Sequence, residues 1–166
     1  MCIYNHRTCS RIDKEKKYPI TGANCIILNK YNKRNNGKII STVAVAYFIK
    51  ERFGIYSGKY SIIGGRLNKN EDCYIKCMLR ELREEAKIKL SFTDFDKYFK
   101  DKNGKVKYIL HVGKRGNKFL CTPIFIGFIP GISRTIIRKK MKEDNNNFKL
   151  NISNKETSDI DCIRLD

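Results

Sequence analysis

A chain of 166 residues has the length of one domain and is long enough to bury a core of its own. Its 35 Lys and Arg against 17 Asp and Glu give a formal charge of +18, which points to a polyanionic partner, and the abundance of Lys, Asn and Ile fits a compositional bias of the genome as well. No apolar run approaches the roughly 18 residues of a membrane-spanning helix, no charged-then-apolar leader opens the chain, and the seven cysteines form no CxxC pair, so a soluble cytoplasmic protein with reduced thiols is expected.

Residues 1–17 are polar and basic and read as an N-terminal arm, ahead of a domain over residues 18–166. Within the arm Cys2, His6 and Cys9 offer three ligands of a possible zinc site, one short of the usual four. Tyr18 to Leu28 contains a strand, Ala23–Leu28, and Asn29–Lys38 is a turn rich in Asn and Lys. The β-branched run Ile39–Lys50 is the next strand, followed by a loop and a short strand, Tyr60–Ile63, that delivers Gly64 and Gly65. A helix over about Cys73–Lys87 comes next, with Ile75, Leu79, Leu82 and Ala86 on its core-facing stripe. Phe92–Tyr98 alternates aromatic and acidic residues. Lys105–Val112 is a strand, Gly113–Asn117 a turn, and Phe119–Ile129 a strand interrupted by Pro123. Ser133–Lys142 is a short basic helix capped by Ser133, Asn145–Asn147 a loop, and Ile160–Leu165 a last strand. Strands on both sides of a central helix make an α+β or α/β layered domain.

The central helix carries the chemistry. Glu81, Glu84 and Glu85 occupy one face within about 100° of arc. Like charges so close repel, and a hard divalent cation with oxygen ligands removes the repulsion. The other reading is a solvated face of Glu–Lys pairs. The cluster Arg134, Arg138, Lys139, Lys140 and Lys142 is dense enough to bind phosphates, as are Lys114 and Arg115 in their turn, or it is a solvated helix face. Stacking on a base calls for exposed aromatics, for which Tyr31, Phe53 and Tyr56 are candidates.

The stretch Gly65-Arg66-Leu67-Asn68-Lys69-Asn70-Glu71, followed by Arg80-Glu81-Leu82-Arg83-Glu84-Glu85-Ala86-Lys87-Ile88, resembles a Nudix box. It departs from that pattern in one extra residue between Glu71 and Arg80 and in Lys87, where the family carries glycine. The insertion is expected in the loop around Glu71-Asp72-Cys73, which leaves either Glu71 or Asp72 in the role of the first glutamate. The loop from Gly65 to Glu71 is similar to that of the catalytic subunit of mRNA-decapping enzymes. Cys77 and the tail from Glu156 to Ile163 resemble cellular and large-DNA-virus decapping enzymes. The resemblance implies a Nudix-type α/β/α sandwich with a mixed central β-sheet, binding Mg²⁺ or Mn²⁺ through Glu81, Glu84, Glu85, Glu156 and the carbonyl of Gly64 or Gly65. It implies catalytic roles for Glu81, Glu85, Glu156 and Arg80, with Arg80 orienting a box carboxylate.

Three functions follow as expectations. One is a hydrolase of the 5′ cap of RNA, in the host cytoplasm if the chain is viral. Another is a small-molecule pyrophosphohydrolase acting on diphosphoinositol polyphosphates or nucleotides. The third is an RNA- or polyphosphate-binding protein that keeps the fold without turnover.

Overall fold

The computed structural model describes residues 7–51, 57–71, 73–147 and 157–165. β1 (Gly22–Asn35) is the strand around which the sheet is organised. Its first residues pair antiparallel with β4 (Ile63–Arg66), and its later ones with β2 (Lys38–Glu51). On its opposite edge Asn24–Leu28 run parallel to Ile124–Phe128 of β6 (Lys118–Phe128). β6 pairs antiparallel with β5 (Tyr108–Arg115), and β2 carries both β3 (Tyr60–Ser61) and β7 (Thr157–Leu165). The result is a mixed, curled α+β sheet with helices packed on it, in agreement with the fold class expected from the sequence.

Alternate positions of the strands supply the core, as the two-residue period of a strand requires. Cys25 and Ile27 of β1, Val45 and Ile49 of β2, Phe125 of β6 and Ile160 of β7 are buried together. Onto them pack Ile75, Met78 and Leu82 of α2 (Tyr74–Ala86), Phe95 of α3 (Phe92–Tyr98), and Ile137 and Met141 of α4 (Arg134–Asn147). The Phe95 ring stacks on Phe99 at 4.9 Å and meets Phe125 edge-on at 5.6 Å.

Several elements differ from the sequence reading, each for a physical reason. Residues 7–15, read as part of a basic arm, form α1 (Arg7–Glu15) with Cys9 and Ile12 in the core. The Cys9 and Cys73 thiol sulfurs lie 2.8 Å apart, and Tyr74 donates a hydrogen bond to Asp13 at 2.5 Å, so α1 is fastened to the start of α2. Asn29–Lys38 is not one long turn. β1 continues to Asn35, and only Asn36 and Gly37 turn, with φ of 48° and 78°. An Asn-Gly pair with both φ values positive matches the twist of a tight hairpin. Gly113–Asn117 shortens in the same way, because Lys114 and Arg115 pair with Phe119 and Lys118.

Pro123 does not interrupt β6. It lies between the Ile20–Cys121 bridge and the Asn24–Ile124 pair, where the Thr21 carbonyl is bonded instead by the Leu67 N–H. Phe92–Tyr98 is helical because Ser91 and Asp94 form a reciprocal capping box. Ser133 caps α4 through a 3.2 Å bond from the Ile136 N–H, and Asn145–Asn147, expected as a loop, are the last residues of that helix.

Ile12→Ala is expected to destabilise the protein by about 2–5 kcal/mol in urea denaturation. A residue in a loose arm would give no change. Lys87 closes α2 in the left-handed region at φ 58°, ψ 25°, and the N–H groups of Lys87 and Ile88 both reach the Leu82 carbonyl. Lys87→Gly removes the steric cost of that conformation and is expected to stabilise the fold by about 1 kcal/mol, read as a rise in the urea midpoint at constant slope.

Candidate active site around the carboxylate helix

β4 places the glycines and α2 the acids. Gly64 and Gly65 pair with Asn24 and Ala23 of β1, and α2 packs across this corner. The Glu85 carboxylate accepts a 2.8 Å hydrogen bond from the Gly64 N–H. The Glu81 carboxylate lies so close to Gly65 that a Cβ there would fall 2.2 Å from its Oε1. A larger residue there would push that carboxylate out of its present place. The Cys77 thiol sits 3.6 and 3.5 Å from the carbonyl oxygens of Gly65 and Arg66. Glu81 and Glu85 are 6% and 5% exposed, whereas the Glu84 side chain is 49% exposed. One helical face thus divides into two sunken acids and one at the solvent edge.

Arg80 binds the corner together. Its Nε and Nη2 meet the two oxygens of Glu71 at 2.7 and 3.2 Å, a bidentate pair. Its Nη1 lies 2.7 Å from Glu81 Oε1 and 3.0 Å from Glu84 Oε2, and Nη2 donates to the Arg66 carbonyl at 2.8 Å. Glu71 also accepts the Asn68 N–H at 2.9 Å. The helix is regular from Tyr74 to Ala86, so the extra residue of the box lies in the loop before it, and Glu71 is the acid that the loop presents to Arg80. Asp72, the other candidate for that position, lies outside the described residues.

The electrostatics follow from this packing. Burial pushes the Glu71 carboxyl up, but hydrogen bonds from Arg80 and the Asn68 N–H, together with the Arg80 charge, outweigh it and hold the pKa below its ordinary 4.5. The Arg80 guanidinium is held even more firmly protonated, first by its bonds to Glu71. Burial, then the Glu71 charge, pushes the Cys77 thiol up to about 12. Burial, then the charges of Glu85 and Glu81, raises the Cys25 thiol as well, so the thiols beside the acids are protonated spectators rather than nucleophiles.

The donor set suits a hard cation, since it consists of carboxylate and backbone carbonyl oxygens. The side chains do not yet converge on one point. Among the described residues, no three His, Cys, Asp or Glu side chains stand close enough to hold an ion. Arg80 engages both Glu81 and Glu84, and Glu84 is the exposed acid of the three. Glu156 lies outside the described residues, as do Cys2, His6, Phe53, Tyr56 and the side chain of Tyr31.

The basic residues singled out in the sequence separate into two groups. Arg134 is bound to Asp161 at 2.6 Å, and Arg138 makes a forked pair with Asp159, its Nε at 2.6 Å, so both tie α4 to β7. Lys139 lies 3.8 Å from Glu143 one turn on, and Lys140 and Lys142 are exposed. Lys114 and Arg115 are exposed at the end of the β5–β6 hairpin.

Because the folded pKa of Glu71 is depressed, its contribution to stability is complete above pH 4.5 and is lost as the pH falls through the lower folded value. Glu71→Gln removes that contribution. The melting-temperature gap between wild type and the variant is therefore expected to be widest above pH 4.5 and to close on acidification. A gap independent of pH would contradict the pairing.

No protein-family model matches the sequence, and neither does any curated protein. Solved structures do match. The Nudix domain of NrtR from Shewanella oneidensis, complexed with ADP-ribose, superposes with a TM-score of 0.51 at 8% identity, over 91% of this chain and 76% of that one. A MutT/nudix family protein from Enterococcus faecalis gives a TM-score of 0.52 at 14% identity, over 95% of this chain and 50% of that one, so the chain spans half the length of that protein. At such identities the likeness is one of fold, and it agrees with a glycine corner and carboxylate helix reached independently from the sequence. The chain has the Nudix fold.

Proposed function

We propose that this protein is a metal-dependent Nudix hydrolase that cleaves a phosphoanhydride, with the 5′ cap of RNA as substrate and methylated guanosine diphosphate as product. The observation that carries the hydrolase reading is the corner itself. Two sunken carboxylates, Glu81 and Glu85, face the backbone of Gly64 and Gly65 under an arginine that fixes their neighbours. An acidic corner in a chain of +18 suits a reaction between a cation-bound phosphate and a basic surface. The loop from Gly65 to Glu71, with its decapping-like sequence, supports the cap as the substrate.

Mg²⁺ or Mn²⁺, when bound by Glu81, Glu84, Glu85 and the Gly65 carbonyl, supplies charge neutralisation for the anhydride. The chain's own residues do the rest. Arg80 holds Glu81 and Glu84 in orientation and keeps the Glu71 loop closed over α2. Glu85 is held by the Gly64 N–H through one of its oxygens. Hydrolysis forms a bond from a water oxygen to phosphorus, breaks the bridging P–O bond, and leaves two phosphate-ended fragments. Glu81 or Glu156, the latter just ahead of β7, takes the proton of that water. Lys139, Lys140, Lys142, Lys114 and Arg115 serve the phosphates of the transcript, since Arg134 and Arg138 are engaged by β7.

A second reading rests on the ADP-ribose bound by the NrtR Nudix domain, a nucleoside diphosphate sugar without an RNA body. Small-molecule pyrophosphate hydrolysis, on nucleotides or diphosphoinositol polyphosphates, is the corresponding activity. Product analysis separates the readings. Cap-labelled RNA with Mg²⁺ or Mn²⁺ is expected to release methylated guanosine diphosphate, and chelation to stop it. Glu85→Gln should lower the rate by about 10²- to 10⁴-fold. Phosphate release from free nucleotides or inositol pyrophosphates without cap cleavage would assign the small-molecule activity. No turnover on any of these would leave a binding protein.

A further inference from the structure

The end of the β5–β6 hairpin carries aromatic rings and positive charge that the carboxylate corner does not use. Phe119 is 47% exposed, at the solvent end of a strand whose middle, Leu120–Gly127, is half-buried or buried. Tyr18 leans on it with ring centroids 5.2 Å apart and planes 31° from parallel. Lys114, the residue directly across the ladder from Phe119, places its Nζ 5.8 Å from the centre of the same ring. Tyr18 is held there by the backbone, since the Cys121 N–H donates to the Pro19 carbonyl at 2.9 Å. Lys17, Arg115 and Lys118 are exposed around the pair, and no Asp or Glu lies in the sequence between Asp101 and Glu143.

We infer that Tyr18, Phe119 and Lys114 form a stacking platform for an unpaired base of single-stranded RNA downstream of the cleaved group. Every base offers a π-face, so stacking on an exposed ring needs no sequence match, and adjacent lysines neutralise the backbone phosphates. Apolar burial within the protein does not explain the arrangement, because the Phe119 ring remains open to solvent. The surrounding charge, Lys17, Lys114, Arg115 and Lys118, suits a continuous run of phosphates beside that ring.

Position favours the same occupant. Phe119 lies five residues ahead of Ile124 on β6, about 16 Å along the strand at ~3.3 Å per residue. Ile124 pairs with Asn24, and Asn24 with Gly64. The platform and the carboxylate corner are thus joined by one continuous piece of sheet, across a distance that a few extended nucleotides span. The inference rests on the RNA reading of the corner and adds to it where the transcript body lies.

The test measures binding of a short capped single-stranded RNA, and separately of the free cap dinucleotide, by the full chain carrying Glu85→Gln to prevent turnover. Adding Phe119→Ala is expected to weaken RNA binding about 5- to 150-fold while leaving affinity for the cap dinucleotide as it was. Phe119→Tyr, which keeps a ring, should retain RNA affinity, and an unchanged melting temperature in both variants shows that the fold is intact. RNA binding that is equal with and without the ring overturns the platform and leaves the cap reading standing. No RNA binding by the protein with Phe119 intact overturns both.

Discussion

The carboxylate corner depends on one guanidinium. Arg80 reaches Glu71 in the loop, Glu81 and Glu84 on its own helix, and the Arg66 carbonyl at the end of β4. Three acids within reach of one cation would repel one another without it, and removing one partner of a buried charge network is far more disruptive than the pair's net worth suggests. Lysine could not replace it, since a point charge cannot make the forked contact with Glu71 and still serve two other carboxylates and a carbonyl. Arg80 therefore joins three pieces of chain, the loop, β4 and α2, at one point.

The sheet supplies the frame in which that works. β1 pairs with β4 along one edge and with β6 along the other, so the glycine corner is fixed relative to both the helix above it and the β5–β6 hairpin beyond it. α1 reinforces this from the far end of α2, where the Cys9–Cys73 contact and the Tyr74–Asp13 bond meet the first turn of the carboxylate helix. The first and last turns of α2 are thus both anchored, one by α1 and the other by the Lys87 cap, and its acids are not free to slide.

Much of this was legible in the sequence because the relevant signals are local. The Glu81-Glu84-Glu85 spacing, the β-branched run of β2 and the Ser133 cap each declare themselves within a few residues. α1 was hidden because a nine-residue helix that buries Thr8, Cys9 and Ile12 has only two apolar positions, too few to show a period. The outer half of the β1–β2 hairpin was hidden for a related reason: both of its faces are wet, so polar residues do not alternate with apolar ones. The burial of Glu81 and Glu85 and the choice of Glu71 as partner of Arg80 were illegible, because they depend on how β4 lies against α2. The engagement of Arg134 and Arg138 was illegible too, since Asp161 and Asp159 come from a strand that follows much later in the chain.

Those two arginine pairs alter how the formal charge of the chain translates into attraction. A cation already matched by a carboxylate displaces few condensed counterions from a polyanion, because its field is largely cancelled before the ligand arrives. On α4 the ionic-strength dependence of binding to a polyphosphate therefore falls to Lys140 and Lys142 rather than to Arg134 and Arg138. The 35 basic residues of the sequence thus overstate the open positive surface, because some of them, these two arginines included, are already matched by carboxylates.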